Sequence, residues 1–376
     1  MKILIQNAYS SKNSGDGLLV ELTIELLKEA FGDIDYIICA NDPESFNYKN
    51  VIQSKSATRK RTLKIIYSMR NLLKLTKYIV NGKIYISEYE QALDGVDLIV
   101  SVGGGYMRGK SFKETIKVGL NNSIQLFWST KKNVKVVYLP QSVGPFCNKS
   151  FEKMISKSID KTCLYYMRDD RSYNAFKNNK SVRRAPDLAV LKISQMLGSG
   201  LKIENDLKKV YFVVRDINQK EHVKIKYLEK INYLISYFGN KAEVVIQSEG
   251  RGNDDREFAN TKLNLKYTPR SLKEALDDEK GVVVSVRLHG ALESLLNSCP
   301  ALHLSYERKG FGAYNDLGLG EYVFNSSDFE LDTVLLKIKS LLKSTKCFDE
   351  KLKSSYTHIE NSKELILSDL RSLREG

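Results

Sequence analysis

Residues 281–297 read GVVVSVRLHGALESLLN, and this stretch decides the class of fold. Its first six residues form an uncharged apolar run rich in valine, which is typical of a strand buried on both faces of a parallel sheet. The charged residue Arg287 ends the run, and the segment from Ala291 onwards has the composition of a helix. Because a buried strand that leads directly into a helix is the building unit of α/β domains, the stretch predicts an α/β fold.

The same alternation of apolar runs and helical segments continues on both sides of this stretch. Strands are predicted at 2–7, 34–39, 82–87, 96–102, 134–140, 163–168, 209–215, 242–248, 281–286 and 301–305. Helices are predicted at 16–31, 61–80, 113–132, 151–162, 170–178, 220–238, 271–278, 289–298, 328–345 and 349–374. This order predicts two doubly wound, Rossmann-like domains that face each other across a cleft. The domains are expected at 1–190 and 208–325, with helices at 326–376 packing back on them.

The composition agrees with two globular domains. The chain has 376 residues, of which 42% are apolar and 10% aromatic, and this is enough to bury two cores. The most apolar runs, 96–105 and 281–286, are shorter than the roughly 20 residues that a membrane-spanning helix needs. The N-terminal MKILIQN turns polar at Gln6, so no secretory signal is expected. We therefore expect a cytoplasmic protein without a transmembrane helix.

The positive charge is concentrated in one segment. Lysine and arginine number 59 against 45 aspartate and glutamate, and ten of these cations lie between Glu44 and Glu88 with no acid among them. On a helical projection, residues 55–83 form a basic amphipathic segment. It either docks on its own core as an ordinary surface helix or lies against anionic lipid head groups at the inner face of the plasma membrane. We expect no nucleic-acid partner, because the sequence has no zinc-finger, basic-zipper or RNA-binding-sheet pattern.

Cysteine and histidine spacing argues against metal. The five cysteines occur without a CxxC pair, and the four histidines show no HExxH or HxH spacing. We therefore predict reduced thiols and no metal site.

Polar and glycine motifs recur where predicted strands end. Each motif also has an ordinary structural explanation that involves no ligand. The motif at Asn13–Asp16 can be an N-cap with a turn glycine, and the triple glycine can allow close approach to another strand. The other motifs can be a rigid turn or a capped helix. Their shared position at strand ends still predicts one ligand-binding edge. The motif residues are Asn13, Gly15 and Asp16; Gly103, Gly104 and Gly105; Gln141 and Ser142; and Arg168.

The strongest motif is Arg287-Leu288-His289-Gly290 at the junction of strand and helix. Because Arg287 and His289 alternate with an apolar residue, both can point to the same side. Gly290 lets the chain turn into a helix whose N-terminus attracts anions, and Lys309 follows the next predicted strand. An arginine, a histidine and a helix N-terminus together predict a phosphate or carboxylate receptor with a proton donor.

Taken in order, these motifs resemble the polysaccharide pyruvyl transferases. The resemblance spans roughly residues 1–325 and implies a GT-B-like architecture. It also implies the transfer of pyruvate from phosphoenolpyruvate to a sugar of a cell-surface polysaccharide or its lipid-linked precursor, usually as a ketal. The resemblance is carried by Asn13 with Gly15-Asp16, Gly103–Gly105, Gln141-Ser142, Arg168-Asp169 with Ser172, Ala185-Pro186-Asp187, Arg287–Gly290 and the SYERKG stretch at 305–310.

The resemblance also implies roles for the site residues. The second domain would bind phosphoenolpyruvate through Arg287, Lys309, Arg215 and Gly290, since arginine forks suit both anionic groups. His289 would be the general acid, because its unperturbed pKa near 6.5 allows proton exchange at neutral pH. Asp16 would be the base on the sugar, and no metal or cofactor is expected beyond the co-substrate. The first domain would bind the glycan or lipid-linked acceptor through Asn13, Gly15, Gly103, Gly104, Gly105, Gln141, Ser142 and Arg168.

Two other functions fit the same residues. A GT-B glycosyltransferase could hold the diphosphate of a nucleotide sugar with the same arginine, lysine and helix N-terminus. A basic adaptor without enzymatic activity would depend on charge alone, and its interactions would not require Arg287.

Overall fold

The computed structural model describes residues 1–54, 87–131, 133–217, 219–250, 253–263, 265 and 267–375. The predicted basic segment 55–83, the predicted helix 61–80 and residues 82–86 of the predicted strand 82–87 lie outside this described part of the chain. Within the described residues, no helix combines the length and the apolar character needed to cross a bilayer.

The bounds of the elements are as follows. The strands are β1 (Lys2–Ala8), β2 (Asp35–Ala40), β3 (Val51–Gln53), β4 (Leu98–Ser101), β5 (Gly104–Gly109), β6 (Lys135–Phe146), β7 (Leu164–Met167), β8 (Val182–Arg184), β9 (Lys209–Val213), β10 (Ala242–Val245), β11 (Glu249–Gly250), β12 (Asn253–Asp254), β13 (Gly281–Ser285), β14 (Ala301–Ser305) and β15 (Val323–Asn325). The helices are α1 (Ser14–Phe31), α2 (Ser87–Ala92), α3 (Phe112–Val118), α4 (Ile124–Ser129), α5 (Lys149–Ile159), α6 (Asp170–Phe176), α7 (Leu188–Gly198), α8 (Glu221–Phe238), α9 (Asp255–Lys262), α10 (Leu272–Asp278), α11 (Leu288–Leu296), α12 (Arg308–Asp316), α13 (Leu331–Lys343), α14 (Lys346–Ser354) and α15 (Tyr356–Glu375). A π-helical turn (Gly119–Ser123) joins α3 to α4, and short 3-10 turns lie at Pro43–Ser45, Gly239–Lys241 and Gly320–Tyr322.

Short polar side chains start several of these helices. Ser111, Asn148, Asp169, Asp254 and Ser271 each accept a hydrogen bond from a backbone N–H in the first helical turn. Such caps satisfy amide groups that have no partner within the helix. The sequence therefore marks these helix starts locally, before any tertiary contact forms.

The chain divides into two compact units, each with its own parallel sheet. The first unit comprises Met1–Ser11, Asp16–Leu188 and Glu364–Gly376, and the second comprises Lys12–Gly15 and Ala189–Lys363. The prediction of an α/β fold with two Rossmann-like sheets is confirmed. The predicted cleft between the domains stays a prediction.

The sheet of the first unit has the strand order β3-β2-β1-β4-β6-β7-β8, and β5 pairs with β6 beside this path. All of these pairs are parallel, so the carboxyl ends of the strands meet at one edge. Ile3, Leu4 and Ile5 of the central strand β1 are fully buried. A continuous apolar strand is what a sheet covered on both faces requires.

The sheet of the second unit has the strand order β10-β9-β13-β14-β15, again all parallel. Strand β13, formed by the valine-rich run, lies at its centre, where Val283 pairs with Tyr211 on one side and with Ala301 on the other. Every residue of β13 is buried. The uncharged valine run is therefore explained by a strand that has neighbours on both edges and on both faces.

Two sequence motifs of the first unit lie in strands. The strand predicted at 134–140 is longer than expected, because β6 continues to Phe146 while β5 pairs with it, so the rigid turn considered as the ordinary alternative for Gln141 and Ser142 is a strand instead. The amide of Val143 in this extension donates to Ser172 Oγ at 2.9 Å. No strand was predicted at the triple glycine, yet Gly104 begins β5 opposite Gln141. Close approach to another strand, the ordinary alternative for these glycines, is what the structure shows.

Two predicted helices are interrupted. The helix expected at 113–132 is broken by the π-helical turn that begins at Gly119, and the helix expected at 349–374 is two helices separated at Ser355. Four helices of the described part of the chain were not predicted, namely α2, α7, α9 and α12. Of these, α9 and α12 begin at the charged residues Asp255 and Arg308 and are rich in polar residues, so they lack a clear apolar periodicity.

Candidate functional site

The strands β13 and β14 lie side by side, and each leads into a helix through a turn of the same construction. Ser285 Oγ donates to the carbonyl oxygen of Arg287 at 2.7 Å, and Ser305 Oγ donates to the carbonyl oxygen of Glu307. A Cβ atom on Gly290 would lie 2.8 Å from Ser285 Oγ, and one on Gly310 would lie 2.3 Å from Ser305 Oγ. Each turn therefore has a bonded serine at the strand end and leaves room only for a glycine five residues later.

The repeated turn places two helix starts at one edge of the sheet. The N-cap residues are Arg287 for α11 and Glu307 for α12. Among the described residues, neither N-cap side chain accepts a hydrogen bond from its helix. Backbone N–H groups at such helix starts carry partial positive charge and favour anions. His289 and Lys309 occupy the same place in the two turns.

Arg287 is paired with an acid that the sequence analysis missed. Its Nε donates to Asp255 Oδ2 at 2.6 Å and its Nη2 to Oδ1 at 2.5 Å, with the side chains only 7% and 1% exposed. The backbone N–H groups of Gln247 and Ser248 donate to the same carboxylate at 3.3 and 3.2 Å. Burial raises the pKa of Asp255, and the charge of Arg287 limits that rise.

His289 lies against the main chain of Gly15. A Cβ atom on Gly15 would lie 2.4 Å from His289 Cβ and 2.7 Å from its Nδ1, so only glycine fits there. One helical turn after His289, the Glu293 carboxylate accepts from Ser14 Oγ at 2.9 Å and from Gln247 Nε2 at 3.3 Å. Burial raises the pKa of Glu293. The sequence analysis placed Gly15 on the acceptor side, but the structure places it beside the donor candidate His289.

The other two predicted cations lie at the same edge of this sheet. Lys309 Nζ is 3.2 Å from Glu307 Oε2. Arg215, which follows β9, donates from Nη1 to the Tyr306 hydroxyl at 3.3 Å and lies 5.4 Å from the centre of that ring. Since β9, β13 and β14 are neighbours, the structure brings the four predicted donor-side residues of the second unit to one edge.

A second histidine links the two turns. His303 Nδ1 lies 2.9 Å from the carbonyl oxygen of Ser285, and a Cβ on Gly310 would lie 2.2 Å from its Nε2. Because a carbonyl only accepts, Nδ1 carries the proton. Burial lowers the pKa of His303 to about 4, so the ring is neutral at physiological pH. His303 therefore acts as a structural bridge.

A pocket of ≈ 440 Å³ opens beside Arg215 in the second unit. It lies between α8 and α9, and its lining includes Tyr227, Asp255, Phe258 and Lys262. Asp255, the buried partner of Arg287, thus forms part of its wall. The pocket gives a ligand space next to the candidate donor residues.

In the first unit, the predicted residue Gln141 lies inside a neutral polar network. Its Nε2 donates to the Tyr106 hydroxyl at 2.6 Å and to Ser101 Oγ at 3.1 Å, and its Oε1 accepts from the Tyr165 hydroxyl at 3.2 Å. Burial raises the pKa of these tyrosines, so all remain neutral. A Cβ on Gly103 would lie 2.9 Å from the carbonyl oxygen of Pro140, while Gly104 and Gly105 belong to β5.

Arg168 and Ser142 contact each other in the first unit. Arg168 forms a buried ion pair with Asp187, and its Nε donates to Ser142 Oγ at 3.0 Å. The neighbouring residue Asp169 caps α6 by accepting a hydrogen bond from the amide of Ser172. This capped helix is the ordinary structural alternative that the sequence offered for the Arg168-Asp169 motif. The acceptor role of Gln141, Ser142 and Arg168 stays a prediction.

The N-terminal motif is divided between the two units. Asn13 forms an antiparallel bridge with Ser248 in the second unit, whereas Asp16 belongs to the first. The acceptor role of Asn13 and the role of Asp16 as base therefore stay predictions.

Known proteins resemble this chain in sequence and in fold. The family model for polysaccharide pyruvyl transferase matches residues 13–308. The amylovoran biosynthesis protein AmsJ of Erwinia amylovora is 22% identical over 398 residues, which cover 91% of this chain and 92% of that protein. Among solved structures, a UDP-N-acetylglucosamine 2-epimerase from Listeria monocytogenes, itself described as putative, has a TM-score of 0.54 at 10% identity and covers 100% of this chain and 96% of its own. The spinosyn rhamnosyltransferase SpnG has a TM-score of 0.50 at 11% identity and covers 100% of both chains. These structures share a GT-B-type fold with this chain.

Proposed function

Because the chain belongs to the polysaccharide pyruvyl transferase family and is thus a transferase, we propose that phosphoenolpyruvate is its donor. In this proposal, the pyruvyl group passes to a sugar of a cell-surface polysaccharide or of its lipid-linked precursor and is held there as a ketal. The observation that carries the proposal is the edge of the second sheet, where Arg215, Arg287, His289 and Lys309 meet two helix starts.

The charges at this edge suit phosphoenolpyruvate. The donor carries a carboxylate and a phosphate, and the two neighbouring turns offer one helix start to each group. Lys309 adds a flexible cation, and Arg215 adds a planar fork. Arg287 is oriented by Asp255, so its guanidinium is positioned before the donor arrives. Preorganised cations of this kind stabilise charge without reorganisation during the reaction.

His289 is the proposed general acid. It would transfer a proton to the methylene carbon C3 of the donor while a sugar hydroxyl forms a bond to C2. The C2–O bond to phosphate then breaks, and the phosphate leaves with the proton of the first hydroxyl. A second hydroxyl of the same sugar attacks C2, and its proton passes to a base, proposed here as Asp16, and returns through solvent to His289. The balance is one phosphoenolpyruvate and one sugar diol converted to one ketal and one phosphate. General acid catalysis of this kind contributes about 10²- to 10⁴-fold to a rate.

A glycosyltransferase that uses a nucleotide sugar is the rival function. The likeness to SpnG at 11% identity concerns the fold, and one fold hosts many reactions. The two functions differ in the leaving group, which is phosphate in one case and a nucleoside diphosphate in the other. Incubation with phosphoenolpyruvate or with nucleotide sugars, each with a panel of aryl and lipid-linked glycosides, separates them by product. The pyruvyl transferase releases phosphate and yields an acceptor heavier by pyruvate minus water.

The proposed acceptor also suggests where the protein acts. Lipid-linked precursors are carried on a membrane surface, and the sequence of residues 55–83 provides a cationic segment that anionic head groups attract. We therefore propose that the protein acts as a peripheral protein on the inner face of the plasma membrane.

A further inference from the structure

We propose that Glu293 is a positioning residue for His289, acting through Ser14 and Gly15. The inference rests on the proposed function, because it concerns the residue named there as the general acid. Glu293 was not among the predicted site residues, and Ser14 lies in the first motif but was considered only as a helix N-cap.

The first step is the contact between Gly15 and His289. The missing Cβ of Gly15 would lie within 2.7 Å of the Cβ, Cγ and Nδ1 atoms of His289, so the peptide backbone at Gly15 fills the space on that side of the ring. Any shift of this backbone therefore opens or closes the space in which the imidazole can turn. The position of Gly15 determines the orientation of the proposed acid.

The second step is what holds Gly15 there. The segment Lys12–Gly15 belongs to the second unit, where the carbonyl oxygen of Lys12 accepts from the amide of Glu249 at 3.2 Å. The amide of Ser14 donates to the carbonyl oxygen of Gln247 at 3.3 Å. These backbone bonds fix the segment to the loop after β10, but not to the helix that carries His289.

The third step is the link to that helix. Ser14 Oγ donates to Glu293 Oε2 at 2.9 Å, and Gln247 Nε2 donates to the same oxygen at 3.3 Å. Glu293 lies four residues after His289 on α11, so both side chains lie on one face of the helix. The carboxylate therefore ties the segment beside Gly15 and the loop at Gln247 to the helix of His289.

The chemistry of this link predicts which substitutions are tolerated. Accepting two hydrogen bonds needs an oxygen but not a negative charge, so Glu293→Gln can keep the link from Ser14 with its amide oxygen. Glu293→Leu keeps the size and removes both bonds. Ser14→Ala breaks the same link from the other side. Because a displacement of about 1 Å at a reacting group can cost about 100-fold in rate, the last two variants should lose turnover.

The experiment measures kcat and donor KM for phosphate release from phosphoenolpyruvate, in Glu293→Leu, Glu293→Gln, Ser14→Ala and the double variant Ser14→Ala/Glu293→Leu. We expect a loss in kcat of about 10- to 100-fold for Glu293→Leu and Ser14→Ala, with donor KM changed less than about threefold. Glu293→Gln should retain most of the turnover. Since both residues act through one bond, the double variant should be no worse than the poorer single variant. The matched control is Glu321→Gln, which removes a carboxylate that pairs with Lys337 and Lys351 elsewhere in the second unit.

A second measurement needs no substrate, so it separates this proposal from the proposed function. Diethyl pyrocarbonate acylates accessible imidazoles, and mass spectrometry of peptides reports His289 individually. Glu293→Leu and Ser14→Ala should increase the rate at His289 several-fold, while the exposed His222 reacts equally in all variants. Three results would each overturn the role of Glu293. The losses in kcat could multiply in the double variant, Glu293→Gln could be inactive, or the acylation rate at His289 could stay unchanged in Glu293→Leu and Ser14→Ala. If wild-type protein releases no phosphate but the rates at His289 change as expected, the positioning role stands and the donor assignment fails.

Discussion

Asp255 and Arg287 form a two-bonded ion pair in the second unit, with Nε–Oδ2 and Nη2–Oδ1 distances of 2.6 and 2.5 Å. The carboxylate side chain is 1% exposed and the guanidinium side chain 7% exposed. Arginine at a strand end therefore has two functions here. It contributes charge to the edge of the sheet, and it anchors α9 to the turn that carries His289.

Removing only the acid should destabilise the fold. Asp255→Ala leaves the guanidinium of Arg287 buried without its carboxylate, and breaking a buried pair in this way costs about 3–5 kcal/mol. The double variant Asp255→Leu/Arg287→Met removes both charges and should recover most of that loss. Urea denaturation of both variants measures the free energy of unfolding. A loss below about 1 kcal/mol in Asp255→Ala would show that the pair does not support the fold.

The contact between Gly15 and His289 predicts a specific loss of turnover. In Gly15→Ala, the new methyl group would lie 2.4 Å from His289 Cβ, so the imidazole must move. Displacement of a reacting group by about 1 Å lowers the rate by about 100-fold. The measurement is kcat for phosphate release, together with the melting temperature.

The matched control for that variant lies on the same helix. A Cβ on Gly17 would be 3.4 Å from its nearest neighbours, which is an ordinary contact, so Gly17→Ala should keep wild-type turnover. Equal turnover in Gly15→Ala and Gly17→Ala would remove the contact from the mechanism.

Stability should fall in mild acid because of His303. Burial lowers its pKa to about 4, whereas an unfolded histidine titrates near 6.5. Between these pH values the unfolded chain binds the proton and the folded protein does not. The contribution of neutral His303 to the free energy of unfolding is therefore fully present above pH 6.5 and is lost as the pH falls towards 4. The difference corresponds to about 3 kcal/mol at pH 4. Urea unfolding from pH 7.5 to 4.5 measures the slope, which should be smaller in His303→Gln. An equal slope in both proteins would assign the acid sensitivity to other groups.

Membrane binding should depend on charge in the segment 55–83. Each cation near an anionic surface contributes about 1 kcal/mol, and salt screens the attraction. We expect sedimentation with anionic vesicles at low salt, little at high salt, and little with neutral vesicles. Binding should be lost, and turnover on a soluble acceptor kept, when glutamine replaces Lys60, Lys64, Arg70, Lys74 and Lys77.

The control for that variant removes the same charge elsewhere. Glutamine is placed instead at the exposed positions Lys113, Lys117, Lys149, Lys153 and Lys157. If both variants lose binding equally, the net charge and not the segment is responsible. If wild-type protein sediments equally with neutral and anionic vesicles, or with neither, the membrane role is wrong.

The fold could be predicted from the sequence because its signals are local. The valine run at 281–286 is apolar throughout because β13 is covered on all sides, and helix starts such as Ser271 carry their own capping residue. Strand β5 could not be predicted, because its glycines become a strand only by pairing with β6. The extension of β6 beyond Pro140 likewise involves residues distant in the sequence, since it pairs with β5 and Val143 donates to Ser172 of helix α6.

The candidate site was predicted in part for the same reason. Arg287 and His289 follow a recognisable strand, so their place at the sheet edge was predictable. The buried acids nearby, Asp255 and Glu293, were not predictable, because an acid on a helix surface gives no sequence signal that it is buried. Gly15 was noticed as a glycine, but only the tertiary structure shows that it contacts His289. The periodicity and spacing of residues in the sequence thus do not show which side chains contact each other in the folded protein.

Phosphate release from phosphoenolpyruvate in the presence of a glycan acceptor is the most direct test of the proposed function. We expect wild-type protein to release one phosphate for each ketal formed and to release no nucleoside diphosphate from nucleotide sugars. His289→Ala should lower kcat by about 10²- to 10⁴-fold with donor binding nearly kept, because a general acid acts mainly in the transition state. No phosphate release with any acceptor tested, or wild-type turnover in His289→Ala, would contradict the assignment of this donor and this acid.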